Sequence, residues 1–488
     1  MDSDELLRRA KRVYMVGIKG TGMAALAELL VDQGVELSGS DVADKFFTDE
    51  ILTALKVPYF EGFAPENVPS TADLVIYSAA YNPETHPELL KARALGLPVL
   101  TYTQALGAFS LRFAPSGAAG ISGVHGKTTT TAMTGVVIRA LALDASVLAG
   151  SLVPDFGERA TLRLGKRWFV AETCEYRRNF LDFHPSKILC TSIELDHTDY
   201  FRDEADIEAA FWEYAQRLPQ GGTLIFCADE PGAVRLADHV KKARPDVELV
   251  SYGLSAQGSP FQVKAIDFQP GLVRFSLQGW STPLGLTIPG RHNIVNAAGA
   301  CALAFSLFKD DQVRWPNEVE IARVAQALEG FRGSRRRSQI VGEVGGVLVM
   351  DDYGHHPTAV KTTLEGLREF YPDRRLVVDF MSHTYSRTKT LLEEFASSLE
   401  SADEVVLHKI YASARETWDG VTTGRVLYDR TRALRGAVRY FEEPLDALPY
   451  YLESLHEGDL LVTMGAGDNW KVGRAFLERR AGKGGEAL

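Results

Sequence analysis

The sequence predicts an α/β chain of three domains with mainly parallel sheets, and three observations carry that prediction. At 488 residues the chain is too long for one core, since domains run to about 100 to 200 residues. Short apolar strand-like runs alternate with helix-forming segments along most of the chain, the pattern of strand–helix–strand units lying parallel in one sheet. Three stretches, near Arg12, Ala118 and Phe331, each begin such a series anew, giving boundaries at 1–108, 109–330 and 331–488.

In the first unit "RVYMV" reads as a buried strand, "GIKGTG" as a turn, and the segment from about Met23 to Gly34 as a helix with its stop. "VELSGSD" supplies a second strand ending at Asp41, about 20 residues past the turn, where dinucleotide-type folds place an acid. The glycines Gly17, Gly20 and Gly22 are spaced G-x-x-G-x-G, not G-x-G-x-x-G. Two readings stay open: a turn that receives a ligand, or one that only lets the helix pack on the strand. "ADLVIYSAA" and "LPVLTY", with the helix "HPELLKARALG" between them, extend the sheet.

The second unit opens with "GISGVHGKTTTT". A standard nucleotide loop reads G-x-x-x-x-G-K-[ST], and Ile121 stands where its first glycine belongs. Gly126-Lys127-Thr128 still follows a small-residue strand and precedes a helix. That context suits a phosphate loop, because helix N-terminal N–H groups face the anion and a lysine adds a point charge. Thr128 is placed to ligate Mg2+. "FVAETCEYRRNFLDFHP" sets Glu172 and Glu175 past one buried strand, and "ILCTSIELDHTDYF" sets Glu194, Asp196 and His197 past another. Either these groups converge on Lys127 and hold divalent metal, or each is a solvated loop residue. In "PGRHNIVNAAGACALAF", His292 and Asn293 suit the edge of an adenine, or Asn293 caps the helix that follows.

The third unit begins at "FRGSRRRSQIVGEVGGVLVMDDYGHHPTAV", a basic patch followed by a strand ending in Asp351 and Asp352. Arg336 and Arg337 can grip carboxylate or phosphate in a forked geometry, or form a solvated patch. "DDYGHHP" and "SHTYSRT" place His355, His356, His383 and Arg387 at strand ends, where open α/β sheets bind ligands. Arginine and histidines there suit an acceptor whose carboxylate needs a cation.

Composition excludes several classes. A net charge of −11 argues against a general nucleic-acid binder, because that affinity comes from phosphate neutralisation by Lys and Arg. The cysteines Cys174, Cys190, Cys227 and Cys301 lack C-x-x-C spacing, so neither a disulfide framework nor a zinc site is predicted. No apolar run approaches the roughly 18 residues of a membrane span, and the first residues do not read as a secretory signal. A cytoplasmic protein is expected, with "RRAGKGGEAL" as a frayed tail.

Eight motifs, "GVHGKTTTT", "IELDH", "GRHN", "FRGSRRR", "DDYGHHPTAV", "HTYSRT", "YASARE" and "TMGAGD", resemble in order those of the Mur ligases of peptidoglycan synthesis. "GIKGTGMAALA" is similar to the turn of that family's UDP-substrate domain, and the loop at Lys127 to its shorter G-x-x-G-K-T form. The resemblance implies a Rossmann-like UDP-substrate domain, a central P-loop ATPase-type domain and a C-terminal Rossmann-like amino-acid domain. It also implies a reaction: ATP phosphorylates the lactyl carboxylate of UDP-N-acetylmuramate, and the amine of L-alanine attacks the acyl phosphate. Mg2+, two ions, is implied with ATP; a monomer or homodimer that binds neither nucleic acid nor membrane is expected.

By this resemblance Lys127 holds the β- and γ-phosphates, and Thr128, Glu172 and His197 hold metal. Gly123, His125, Gly126, Thr129, His292, Asn293, Arg336 and Asp351 line the nucleotide. Tyr353, His355 and Arg387 position L-alanine, while Gly17, Gly20, Gly22, Met23, Asp41, Ser78 and Ala79 face the uridine diphosphate. The chain departs from the family at Cys174, Ser192, Met381 and Ser382. A relative that attaches a recycled L-Ala-γ-D-Glu-diamino acid tripeptide lacks "HTYSRT" and is the second reading. An oxidoreductase built on the Gly17 turn has no use for Lys127, and a non-catalytic nucleotide binder has none for His355 and Arg387.

Overall fold

The computed structural model describes residues 2–44, 46, 48–198, 200–412, 418 and 420–483. Within them the chain folds as a three-domain α/β protein around three largely parallel sheets and one small antiparallel sheet. It packs as two compact units. One holds residues 1–194, 204–262 and 296–327; the other holds 195–203, 263–295 and 328–488. Of the motif at 411–416 only Tyr411 and Ala412 are described; of the tail expected to be frayed, residues 479–483 instead continue the helix Trp470–Lys483, and 484–488 lie outside the described residues.

The first unit contains two sheets. Five parallel strands run in the order Tyr59–Glu61, Glu36–Asp41, Arg12–Val16, Leu74–Tyr77, Val99–Thr101. Strand Arg12–Val16 is flanked by one strand from each half, so the chain leaves it to opposite sides. The loops after Val16 and Tyr77 therefore open a crevice, which puts Gly17 beside Ser78. The second sheet has seven strands, with Gly117–Ser122 between Lys187–Cys190 and Trp168–Glu172. The same reversal of direction opens a crevice at the loop after Ser122. Only its edge hairpin, Ala145–Val153 with Arg159–Arg163, is antiparallel.

Helix Thr21–Asp32 is apolar on nearly every side, and every residue from Met23 to Leu30 is buried. Such a helix must be covered all round. It packs on the first sheet and against Arg159–Arg163 of the second, where its one buried acid, Glu28, accepts from Thr161 Oγ1 at 2.7 Å.

The second unit contains the strands Gln339–Val344, Val347–Asp352, Asp459–Met464, Arg375–Phe380, Glu404–Leu407 and Val438–Tyr440 in that spatial order; only the first pair is antiparallel. Alternate residues enter separate cores. Leu348, Met350, Leu376, Val378, Leu460 and Val462 face one, and Val347, Val349, Val377 and Leu461 the other. Period-two alternation with both sets apolar is what a parallel sheet covered by helices on both faces requires. The antiparallel strands Val263–Gln269, Leu272–Leu277 and Leu284–Leu286 belong to this unit.

Candidate active site

The glycine turn after Arg12–Val16 is tightly packed at two of its glycines, Gly17 and Gly22. Gly17 has a left-handed φ of 80°, and a Cβ there would lie 2.6 Å from the Tyr81 ring and 2.9 Å from Ser78 Cβ. At Gly22 it would lie 2.8 Å from the Tyr102 ring. Gly20 precedes the helix that buries Met23. Asp41 is 4% exposed and accepts the Lys19 backbone N–H at 2.6 Å and the Tyr81 hydroxyl at 3.2 Å. Ser78 donates its backbone N–H to Val16 O at 3.0 Å, and Ala79 beside it is exposed. Lys19, unassigned by motif, is fully buried, with Nζ 2.9 Å from Val42 O and 3.2 Å from Asp49 Oδ1.

The loop after Gly117–Ser122 forms the N-terminus of helix Lys127–Ala140. Gly126 is left-handed, φ 78°, and a Cβ there would lie 2.7 Å from Asn296 Oδ1. Gly123, φ 133°, lies against the Thr191 hydroxyl. Lys127 Nζ donates to Glu175 Oε2 at 2.9 Å and also contacts Gly123 O. Burial, the largest single influence, would lower the Lys127 pKa, but the acidic neighbours together, Glu175 foremost, raise it, so the ammonium stays charged. His125 Nε2 lies 2.5 Å from Glu194 Oε1, and its backbone N–H donates to Ser192 Oγ at 2.9 Å. Thr128 and Thr129 are buried in the first helical turn.

The acids past the two strands separate by partner. Glu175 meets Lys127 and Glu194 meets His125. Glu172 instead accepts the Gly150 N–H at 2.9 Å through Oε2. Glu230, at the start of helix Pro231–Ala243, has its pKa raised by burial first and by Glu194 second. Motif reading missed a role for Asn296, which meets Thr130 Oγ1 at 3.2 Å through Oδ1; its signal is its place three residues after Asn293 on one helix. Ser192, a departure from the family pattern, is an integral acceptor of the loop.

In the second unit Arg336 Nε donates to Asp351 Oδ2 at 2.8 Å and Nη2 to Gly465 O at 2.7 Å. Its guanidinium lies 5.0 Å from the Tyr353 ring centre, and that of Arg337 5.4 Å. Burial raises the Asp351 pKa although Arg336 opposes it. Asp352 accepts the N–H groups of Ser338 at 2.6 Å and Gly354 at 2.7 Å, fixing the turn into the histidines. His355 Nδ1 lies 2.9 Å from Tyr353 O, so Nδ1 carries the proton. Burial first, then the Arg387 charge, holds His355 well below the usual histidine range, so it is neutral.

Arg387 is 5% exposed. Its Nε and Nη2 donate to Asp196 Oδ1 at 3.1 and 2.6 Å, and Nη1 lies 3.1 Å from His383 Nδ1. His197 follows Asp196 with a left-handed φ of 51°. His292 packs its ring on Gly290, and Asn293 donates Nδ2 to Pro289 O at 2.6 Å. The His356 ring caps helix Pro357–Phe370, accepting from Thr358 N at 3.4 Å. Met381 and Ser382 are buried. Non-glycine residues with positive φ, among them His197, Arg336, Ser338 and Thr384, sit in these loops, where strain of this kind collects at functional sites.

This arrangement offers an anion cradle with a charged lysine, carboxylates beside it, and a separate edge of arginine with neutral histidine. The chain is similar to known proteins along most of its length. The family models match as "Mur ligase family, catalytic domain" over 12–114, "Mur ligase middle domain" over 121–304 and "Mur ligase, glutamate ligase domain" over 336–467. The UDP-N-acetylmuramate–L-alanine ligase of Treponema pallidum is 49% identical over 467 residues, covering 96% of each chain. That of Desulfitobacterium hafniense is 38% identical over 469 residues, 95% of this chain and 99% of its own. Among solved structures, the UDP-N-acetylmuramate–alanine ligase of Thermotoga maritima superposes with a TM-score of 0.78 at 24% identity, covering 97% and 99%. A murein peptide ligase of Psychrobacter arcticus gives 0.69 at 22%, covering 96% and 98%. The chain belongs to the Mur ligase family.

Proposed function

We propose that the protein is an ATP-dependent amide ligase that joins L-alanine to the lactyl carboxylate of UDP-N-acetylmuramate, releasing ADP and phosphate. The observation that carries this reading is the 49% identity to the T. pallidum ligase over 96% of both chains. We assign the UDP-substrate to residues 1–108, ATP to 109–330 and the amino acid to 331–488. The reaction is cytoplasmic, where ATP is available; among the described residues no helix is long and apolar enough to cross a membrane.

A carboxylate is a poor electrophile, so it is first converted to an acyl phosphate by the γ-phosphoryl group of ATP. Transfer between two anions needs positive charge, supplied by Lys127 and the N–H groups at the start of its helix. Glu175 fixes the ammonium in place and Asn296 supports Gly126. Thr128 and Glu172 offer two hard oxygens, donors of the kind Mg2+ takes, and the Glu172 carboxylate keeps lone pairs beyond its bond to Gly150 N–H; His197 is assigned to metal by the family resemblance alone. The ion, when bound, neutralises phosphate charge. Arg336, held on Asp351 and Gly465, adds a fixed cation on the nucleotide side. Arg387 receives the α-carboxylate of L-alanine, and the bare Nε2 of His355 accepts from its amine. The amine then attacks the acyl carbon and phosphate leaves.

The test is phosphate release from ATP with UDP-N-acetylmuramate and, in turn, L-alanine, glycine, L-serine and the L-Ala-γ-D-Glu-diamino acid tripeptide, with product masses. Release with L-alanine and a product heavier by one alanine less water is expected. Turnover with the tripeptide alone would reassign the enzyme to recycling.

A further inference from the structure

A guanidinium carries five N–H groups. In Arg387 three are engaged: Nε and Nη2 on Asp196 Oδ1, and Nη1 on His383 Nδ1. One N–H remains on each terminal nitrogen. Asp196 is 5% exposed, and its Oδ1 also accepts the His197 backbone N–H at 2.6 Å. The Asp196 carboxylate meets the arginine along one edge, as a buried ion pair closed by two N–H groups.

We propose that Asp196 is a positioning residue for the amino-acid acceptor: it locks the plane of Arg387 so that the two remaining N–H groups stand ready for the α-carboxylate. This rests on the reading that Arg387 receives the amino acid. A long side chain loses rotamer freedom when it is fixed, and fixing it before the ligand arrives removes that cost from binding. Because Asp196 neutralises Arg387, a carboxylate is drawn by directed N–H groups more than by net charge. The site thus selects for where the carboxylate sits, favouring a small free amino acid.

The experiment is steady-state phosphate release by the full chain carrying Asp196→Asn. The KM for L-alanine is expected to rise about tenfold or more, with those for ATP and UDP-N-acetylmuramate within about twofold. The Mg2+ concentration for half-maximal rate is expected to stay at the wild-type value. Should Asp196→Asn lower the unfolding midpoint, Asp196→Glu gives the second arm. It keeps the charge but displaces it, and should raise the KM for L-alanine alone by a smaller factor. An unchanged KM for L-alanine overturns the proposal; a lowered one means that Asp196 competes with the ligand and overturns it too. A parallel rise in all three KM values, or in the Mg2+ requirement, assigns Asp196 to the fold or to His197 and also overturns it. No phosphate release by the wild type with L-alanine would instead overturn the substrate reading itself.

Discussion

The ammonium of Lys127 stands 2.9 Å from Oε2 of Glu175, whose side chain is 1% exposed. Each charge is the other's main reason for being tolerated there. Removing one partner of a buried pair costs about 3 to 5 kcal/mol, much of it from the stranded charge. Lys127→Met and Glu175→Gln should each lower the unfolding midpoint, and the double variant should recover much of the loss. Neither variant that lacks Lys127 should be active: without its charge, phosphate release should fall about 100-fold to 1,000-fold. Ligation at the wild-type rate by Lys127→Met would refute the phosphate role.

Gly123→Ala tests the loop by shape. The residue has φ 133°, and a Cβ would overlap the Thr191 hydroxyl and lie 2.7 Å from Ser192 N. The loop must shift, so nucleotide binding, read by calorimetry, should weaken by about tenfold or more. Gly157→Ala is the control: φ is 78° but nothing lies within 4 Å. It should cost about 1 kcal/mol of stability and leave nucleotide affinity as it was.

Arg336→Lys asks whether two directed N–H groups are needed. Lysine has a single nitrogen and cannot reach both Asp351 and Gly465 O in the arginine's geometry. A fall in kcat of roughly 10-fold to 100-fold is expected. The unfolding midpoint should change little, because the side chain is partly exposed.

A pH effect on stability follows from His408. Its Nε2 lies 2.9 Å from Asp379 Oδ2 and its Nδ1 3.1 Å from Phe441 O, so both nitrogens face acceptors. Burial alone would lower its pKa, but the Asp379 charge and hydrogen bond prevail and raise it. Folding then favours the protonated form. That stability is complete below the ordinary histidine value of about 6.5 and is lost as pH rises through the raised one. The urea midpoint should fall across that window, and Asp379→Asn should flatten the slope. A wild-type midpoint that rises there would contradict the paired imidazolium.

Much of this molecule was legible in one dimension. Glycines 17, 20 and 22, the G-K-T at 126–128 and the polar ends of strands such as Val347–Asp352 are local patterns, set by turn geometry and by the alternation of a buried strand. Those patterns determined the α/β class, the phosphate loop and the family. Sheet order was not local: nothing in the residues themselves says that Gly117–Ser122 lies between Trp168–Glu172 and Lys187–Cys190. The antiparallel strands from Val263 to Leu286 also went unread, because short exposed-and-buried runs carry a weak signal.

The partners of the charged groups were decided only by the fold. Glu172 and Glu175 are equally good carboxylates three residues apart, yet the chain turns after the strand so that Glu175 reaches Lys127 and Glu172 reaches Gly150. Asp196 and Arg387 are 191 residues apart and meet within hydrogen-bond distance. Sequence by itself determined which chemical groups this enzyme has, because motifs are short and follow backbone geometry. Tertiary structure decided which of them share a proton or a charge, because at these distances an ion pair depends on ångströms that no spacing along the chain encodes.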